Sequence, residues 1–213
     1  MYWLEYYLEI KLMVRGDFMI HEVKYKTLYE AFFHQRNVFL DILMIAFSVV
    51  FLAAMANIRI PLWPVPITMQ TFGVFTIAFF FGSLRGTVAL IAYGLAGLLG
   101  LGVFAGFNSG LPVFIGPTGG YIVGFIFAAF AVGYLIEKGY GRTWKSVLLV
   151  LLVGEVIIYA FGLPWLAAAL PSLTFFGVLK AGLIPFIAGD MLKVLAAVAL
   201  FPYLWKGAEK IKQ

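Results

Sequence analysis

The chain has 213 residues, of which 63% are hydrophobic and only 12% charged, and its mean hydropathy is +1.01. A soluble domain carries roughly a quarter of its residues as charges, so this composition excludes an ordinary water-soluble fold. The absence of cysteine excludes disulfides, thiolate metal sites and cysteine nucleophiles. The net charge of +5 is spread over short connections, with no basic helix or aromatic-interleaved patch, which argues against nucleic acid as a partner.

A hydrocarbon core about 30 Å thick takes roughly 20 apolar residues per helical crossing. The length therefore predicts an all-α integral membrane protein of six transmembrane helices in the lipid bilayer, filling residues 39–205 as one domain. Residues 1–38 read as an amphipathic leader, cytoplasmic or interfacial, in which Leu28, Phe32 and Phe33 would lie against the membrane surface. The first crossing is expected at 39–57, closed by the proline-rich RIPLWPVP stretch. The second (67–82) and third (86–104) form a hairpin through a tight turn at Ser83, Leu84 and Arg85. The glycine- and proline-rich residues 105–118 are too broken to span as helix. The remaining crossings are expected at 119–136, 147–163 and 182–203, with a basic tail at 206–213.

Basic residues are retained on the cytoplasmic side of a membrane. Twelve of the fifteen fall in the leader, at Arg85, in the fourth-to-fifth link and in the tail, whereas only Arg59 and Lys180 occupy the alternate flanks. Both termini are therefore expected to be cytoplasmic, and the three irregular loops face outside, where they suit a lid over a site. Two stripes of small residues, Ala92/Ala96/Gly100 and Gly120/Gly124/Ala128, predict close helix packing within the chain.

Charges within a bilayer are costly unless paired or solvated, which singles out Asp190, Lys193 and Glu155. Asp190 and Lys193 are three residues apart, so they share a helix face and can neutralise each other. They suit either a ligand pocket or a buried pair that fixes helix register. Glu155 precedes Tyr159 by one turn, and a hydrogen bond to Tyr159 or to nearby backbone would make it a structural clamp, with direct ligand contact the alternative. Gln70, Thr68, Tyr93, Asn57 and Asn108 add neutral polar groups near the outer ends of their segments. Both histidines, His21 and His34, lie in the leader, and HExxH, GxSxG and GxxxxGK[ST] motifs are all absent. No metal, cofactor or catalytic site is expected, and any ATP hydrolysis that drives transport belongs to another polypeptide.

Three long motifs carry a resemblance: IRIPLWPVPITMQTFGV (Ile58–Val74), LPVFIGPTGGYIVGF (Leu111–Phe125) and PFIAGDMLKVLAA (Pro185–Ala197), with Gly154-Glu155 between the last two. In order and spacing they resemble the BioY proteins, the biotin-specific S components of energy-coupling-factor (ECF) transporters. The resemblance implies the six-helix S-component fold and a biotin site near the outer face, beneath the loops that contain Pro66 and Pro117. It also implies partners: a transmembrane coupling protein (EcfT/BioN-like) and paired ATP-binding-cassette ATPases (EcfA/BioM-like). By the same resemblance Asp190 would accept ureido N–H groups, Lys193 would meet a ligand oxygen or balance Asp190, and Asn108 would bond the ureido group. Phe104, Tyr121 and Gly119 would line or close the pocket, with Gln70 adding a polar group. The small-residue docking pattern of S components on the first helix is matched imperfectly by Ala46, Val50 and Ala54. An S component for another small vitamin, or a membrane assembly subunit in which Asp190 and Lys193 merely pair, remains the alternative.

Overall fold

The computed structural model describes residues 26–33 and 37–210, and the order of elements follows the apolar runs closely. A short helix α1 (Leu28–Phe32) precedes the long α2 (Val38–Asn57), and a two-stranded hairpin follows, β1 (Arg59–Ile60) and β2 (Ile67–Thr68). Next come α3 (Gln70–Leu98), α4 (Leu111–Ile115), α5 (Gly119–Glu137), α6 (Trp144–Ala169), α7 (Phe175–Gly182) and α8 (Ile184–Lys210). Among the described residues five stretches are long and apolar enough to cross a membrane: α2, α3, α5, α6 and the α7–α8 stretch.

α3 is two antiparallel limbs. Gly82, with φ 78° and ψ −164°, breaks it into residues 70–81 and 83–98. On a straight helix, rising 1.5 Å per residue, Gln70 and Tyr93 would stand about 35 Å apart. Instead the Gln70 amide donates to the Tyr93 hydroxyl at 2.9 Å, so the chain has doubled back. Only glycine is at ease in the Gly82 conformation, and a Cβ there would meet the Glu137 carboxylate at 2.3 Å. Glu137, at the end of α5, accepts the Ser83 backbone N–H at 2.7 Å and the Ser83 hydroxyl at 2.9 Å, which pins the reversal. The reversal thus pivots at Gly82, just before the predicted Ser83–Arg85 turn.

α3, α5 and α6 form the centre of the bundle. The most apolar windows of α3 and α5 are each 61% buried, against 11% for α2, which lies on the outside. The expected stripe on α5 is a true contact line: a Cβ at Gly124 would sit 3.0 Å from Ile158 Cα, and one at Gly120 would run into Trp165 of α6. The other stripe is displaced. Gly100 is exposed with open space around it, and Ala89, Tyr93 and Gly97 are the residues that face inward. On α2, Ala46, Val50 and Ala54 share an exposed face with Leu43 and Phe47.

The structure corrects several expectations. Leu28 does not lie on a surface: α1 buries Leu28, Tyr29 and Ala31, Phe33 packs on the Tyr29 ring at 5.2 Å, and Phe32 stacks on Phe80 at 6.5 Å. Asp41, in the first turn of α2, is a further charge within an apolar run; it accepts the Tyr29 hydroxyl at 2.6 Å and pairs with Arg85 at 3.1 Å. The third span stops at Leu98 rather than Phe104, because the glycine-rich residues 99–110 leave the helix at Gly100, where φ is 99°. The second helix begins at Gln70, since Ile67 and Thr68 pair with Ile60 and Arg59. α6 runs past Leu163 through Pro164 to Ala169, and α8 continues through Pro202 into the tail. An interior proline removes only one helix hydrogen bond, and neighbouring helices compensate for that in a membrane bundle. The link after α6 also contains α7, whose start is capped by Thr174 Oγ1 accepting from Gly177 N at 3.2 Å. The remainder of the leader, including His21 and His34, lies outside the described residues.

Candidate ligand-binding site

At the end of the bundle opposite the Gly82 reversal, the irregular loops and the ends of α3, α5, α6 and α8 enclose a cavity of about 300 Å³. That lies at the small end of the range for small-molecule sites, roughly 300–1,000 Å³. Its inner wall carries the two charges picked out by spacing. Lys193 Nζ donates to Asp190 Oδ1 at 2.8 Å and to Thr71 Oγ1 at 3.1 Å, while the Tyr159 hydroxyl donates to Asp190 Oδ2. Asp190 and Lys193 are each only 7% exposed, yet both face the cavity. Asp190 therefore has its two oxygens fixed by two different helices, and further lone pairs remain for an incoming donor.

The side walls are aromatic and amide-bearing. Tyr121, whose hydroxyl donates to the Gly182 carbonyl at 2.8 Å, lines the cavity from α5, and Phe104 lines it from the loop after α3. Phe104 is held edge-on to Tyr93 at 5.4 Å and lies so close over Gly97 that a Cβ there would fall 2.0 Å from the ring. Gln70 lines the wall with its amide fixed between Thr68 Oγ1 and Tyr93. Asn108 reaches the cavity with its amide nitrogen donating to the Ala105 carbonyl at 2.7 Å, which leaves its side-chain oxygen as an acceptor. Asn57 stays outside the lining and braces the same loop, accepting from Gly106 N at 2.9 Å and Phe107 N at 3.0 Å.

Three sequence expectations change here. Gly119 does not line the cavity: a Cβ at that position would collide with the Phe114 carbonyl and Trp165, so its role is to close α4 onto α5. Pro66 and Pro117, placed by the sequence only in the loops above the site, form part of the wall itself. Glu155 does not bond Tyr159, because the Tyr159 hydroxyl is turned to Asp190 on α8; both Glu155 oxygens are buried with no hydrogen-bond partner among the described residues.

Among the lining residues that sequence reasoning missed are Thr71 and Arg59. Thr71 receives Lys193, and only the fold brings these residues together. Arg59, counted before only as an outer charge, lies at the cavity's loop side with its guanidinium 2.9 Å from where a Gly106 Cβ would stand. It makes no ion pair with any described residue. Its place in β1, opposite Thr68, turns it toward the site, and that strand pairing carries no helical signature in the sequence.

The BioY family model matches residues 27–210. The chain belongs to the BioY family. The match begins at Thr27, the cap of α1, so the end of the leader belongs with the family domain. The biotin transporter BioY of Thermotoga maritima is 41% identical over 145 residues, 68% of this chain and 83% of that protein. The biotin transporter BioY of Lactococcus lactis subsp. cremoris is 32% identical over 195 residues, 88% of this chain and 95% of that one. A crystal structure of the S-component for biotin from an ECF-type ABC transporter superposes with a TM-score of 0.69 at 28% identity, covering 79% of this chain and 92% of that one. The BioY chain described here is thus a multi-pass protein of the cell membrane with the S-component fold.

Proposed function

We propose that this protein captures biotin from outside the cell as the substrate-binding subunit of an ATP-driven ECF transporter, spanning the membrane six times with both termini cytoplasmic. The observation that carries the reading is the Asp190–Lys193 pair, buried to 7% exposure yet facing a cavity between helices in a family whose relatives are biotin transporters. Biotin has a ureido ring with two N–H donors and a carbonyl, an apolar sulfur ring and a valerate carboxylate. The Asp190 carboxylate is an acceptor only and takes ureido N–H, with Tyr159 and Lys193 fixing its orientation. The Asn108 oxygen offers a second acceptor, and Phe104 and Tyr121 supply apolar walls for the sulfur ring. Arg59, with no ion pair among the described residues, meets the valerate carboxylate at the loop side.

The α3 limbs support the six-span topology, since the Gln70–Tyr93 bond makes them a hairpin. No nucleotide-binding motif is present, so the transmembrane coupling protein and the paired ATPases supply the driving force. The exposed face of α2 with Ala46, Val50 and Ala54 is the proposed docking side. Isothermal titration of the detergent-solubilised protein tests the substrate. Tight biotin binding, with thiamine and riboflavin giving no heat, is expected; equal affinity for all three would reject the assignment.

A further inference from the structure

Glu155 is 7% exposed, and neither of its carboxyl oxygens has a hydrogen-bond partner among the described residues. A carboxyl left without partners in a bundle interior costs several kcal/mol, so its position calls for a use. Its depth can be read from the packing of α6 against α8. Gly182, the last residue of α7, abuts Leu163 and Leu166, while Asp190 of α8 meets Tyr159 further along, so α6 and the α7–α8 stretch run antiparallel. One turn beyond the Tyr159–Asp190 contact, about 6 Å deeper, Glu155 on α6 is level with the backbone of Lys193 and Val194 on α8. Glu155 interacts electrostatically with both Asp190 and Lys193. The Lys193 ammonium has three N–H donors and uses two, on Asp190 and Thr71.

We propose that Glu155 is a positioning residue for the ligand site, the alternative acceptor of Lys193: when a ligand N–H engages Asp190 Oδ1, the ammonium turns inward and bonds the Glu155 carboxyl in its place. The inference rests on the biotin reading above, because a ureido ring supplies the competing donors. The exchange keeps the ammonium partnered at every stage, so a ligand can draw on Asp190 without stranding a buried cation. It also gives Glu155 the partner that it lacks.

The test is a double-mutant cycle read by biotin titration of the purified protein: wild type, Glu155→Leu, Lys193→Met and the double variant. Glu155→Leu, close in volume and free of acceptors, should weaken biotin about tenfold in the wild-type background, the size of one charge-assisted contact, and less than twofold in the Lys193→Met background. Glu155→Gln keeps an amide oxygen that accepts from the ammonium, so it should lose less and show the same dependence on Lys193, and it serves where the leucine variant folds poorly. Losses that multiply undiminished in the Lys193→Met background would show that Glu155 acts on the fold alone, and would overturn the proposal. So would a Glu155→Leu protein that binds biotin as wild type does. A wild-type protein that binds no biotin would instead remove the functional reading and, with it, this one.

Discussion

Neutralising the Asp190–Lys193 pair in two stages separates its contribution to folding from its contribution to binding. Asp190→Asn leaves the Lys193 ammonium, 7% exposed, without its bonded counter-charge, facing only neutral oxygens on the new amide and Thr71 until it turns to Glu155. Stranding one member of a buried ion pair destabilises by roughly 3–5 kcal/mol, and Lys193→Met strands the carboxylate at a similar cost. The double variant Asp190→Asn/Lys193→Met strands neither charge, and buried pairs exchanged for neutral groups are often isoenergetic. Thermal unfolding in detergent should therefore show both single variants well below wild type and the double variant close to it. Binding should not recover in parallel. A ligand N–H on an ionised carboxylate is worth about 1.5–3 kcal/mol, so losing one such contact weakens binding about 10- to 150-fold. The reasoning is refuted if the double variant binds biotin like wild type, for the pair would then be a structural brace that happens to line a cavity.

Three further outcomes follow from single contacts. Arg59→Ala should weaken biotin by about tenfold or more but leave a biotin methyl ester unaffected, because the ester carries no charge for the guanidinium; paired titrations measure the difference. Gly97→Ala should push the Phe104 ring toward the cavity, lowering stability by roughly 1–3 kcal/mol and reducing biotin affinity, as thermal unfolding and titration of the same sample would report. Gly82→Ala should lose about 1–3 kcal/mol from backbone strain, with a further penalty from the clash with Glu137, while its biotin affinity per folded molecule stays near wild type.

Features set by local spacing were legible in the sequence. The apolar runs placed α2 and α5 within a residue of their observed bounds, and the three-residue interval between Asp190 and Lys193 predicted a bond that the structure has at 2.8 Å. Features set by contacts between elements were not. The one-turn spacing of Glu155 and Tyr159 suggested a partnership within α6, yet the tyrosine bonds α8, because helix packing and not spacing decides where its hydroxyl points. Thr71 became a partner of Lys193 only across 122 residues of chain. Arg59 was overlooked because its orientation depends on a two-residue strand pairing, too short to leave a periodic signal. Prolines misled in the other direction: Pro164 suggested an end to α6, but a well-packed membrane helix absorbs the loss of a single backbone bond.

The most direct measurement is a crystal structure of the protein with biotin bound. The ureido nitrogens should lie within hydrogen-bond distance of the Asp190 carboxylate, with the valerate carboxylate against Arg59. Biotin found outside the cavity, or seated in reverse with its carboxylate on Lys193 and its ureido ring among the loops, would contradict the proposed site.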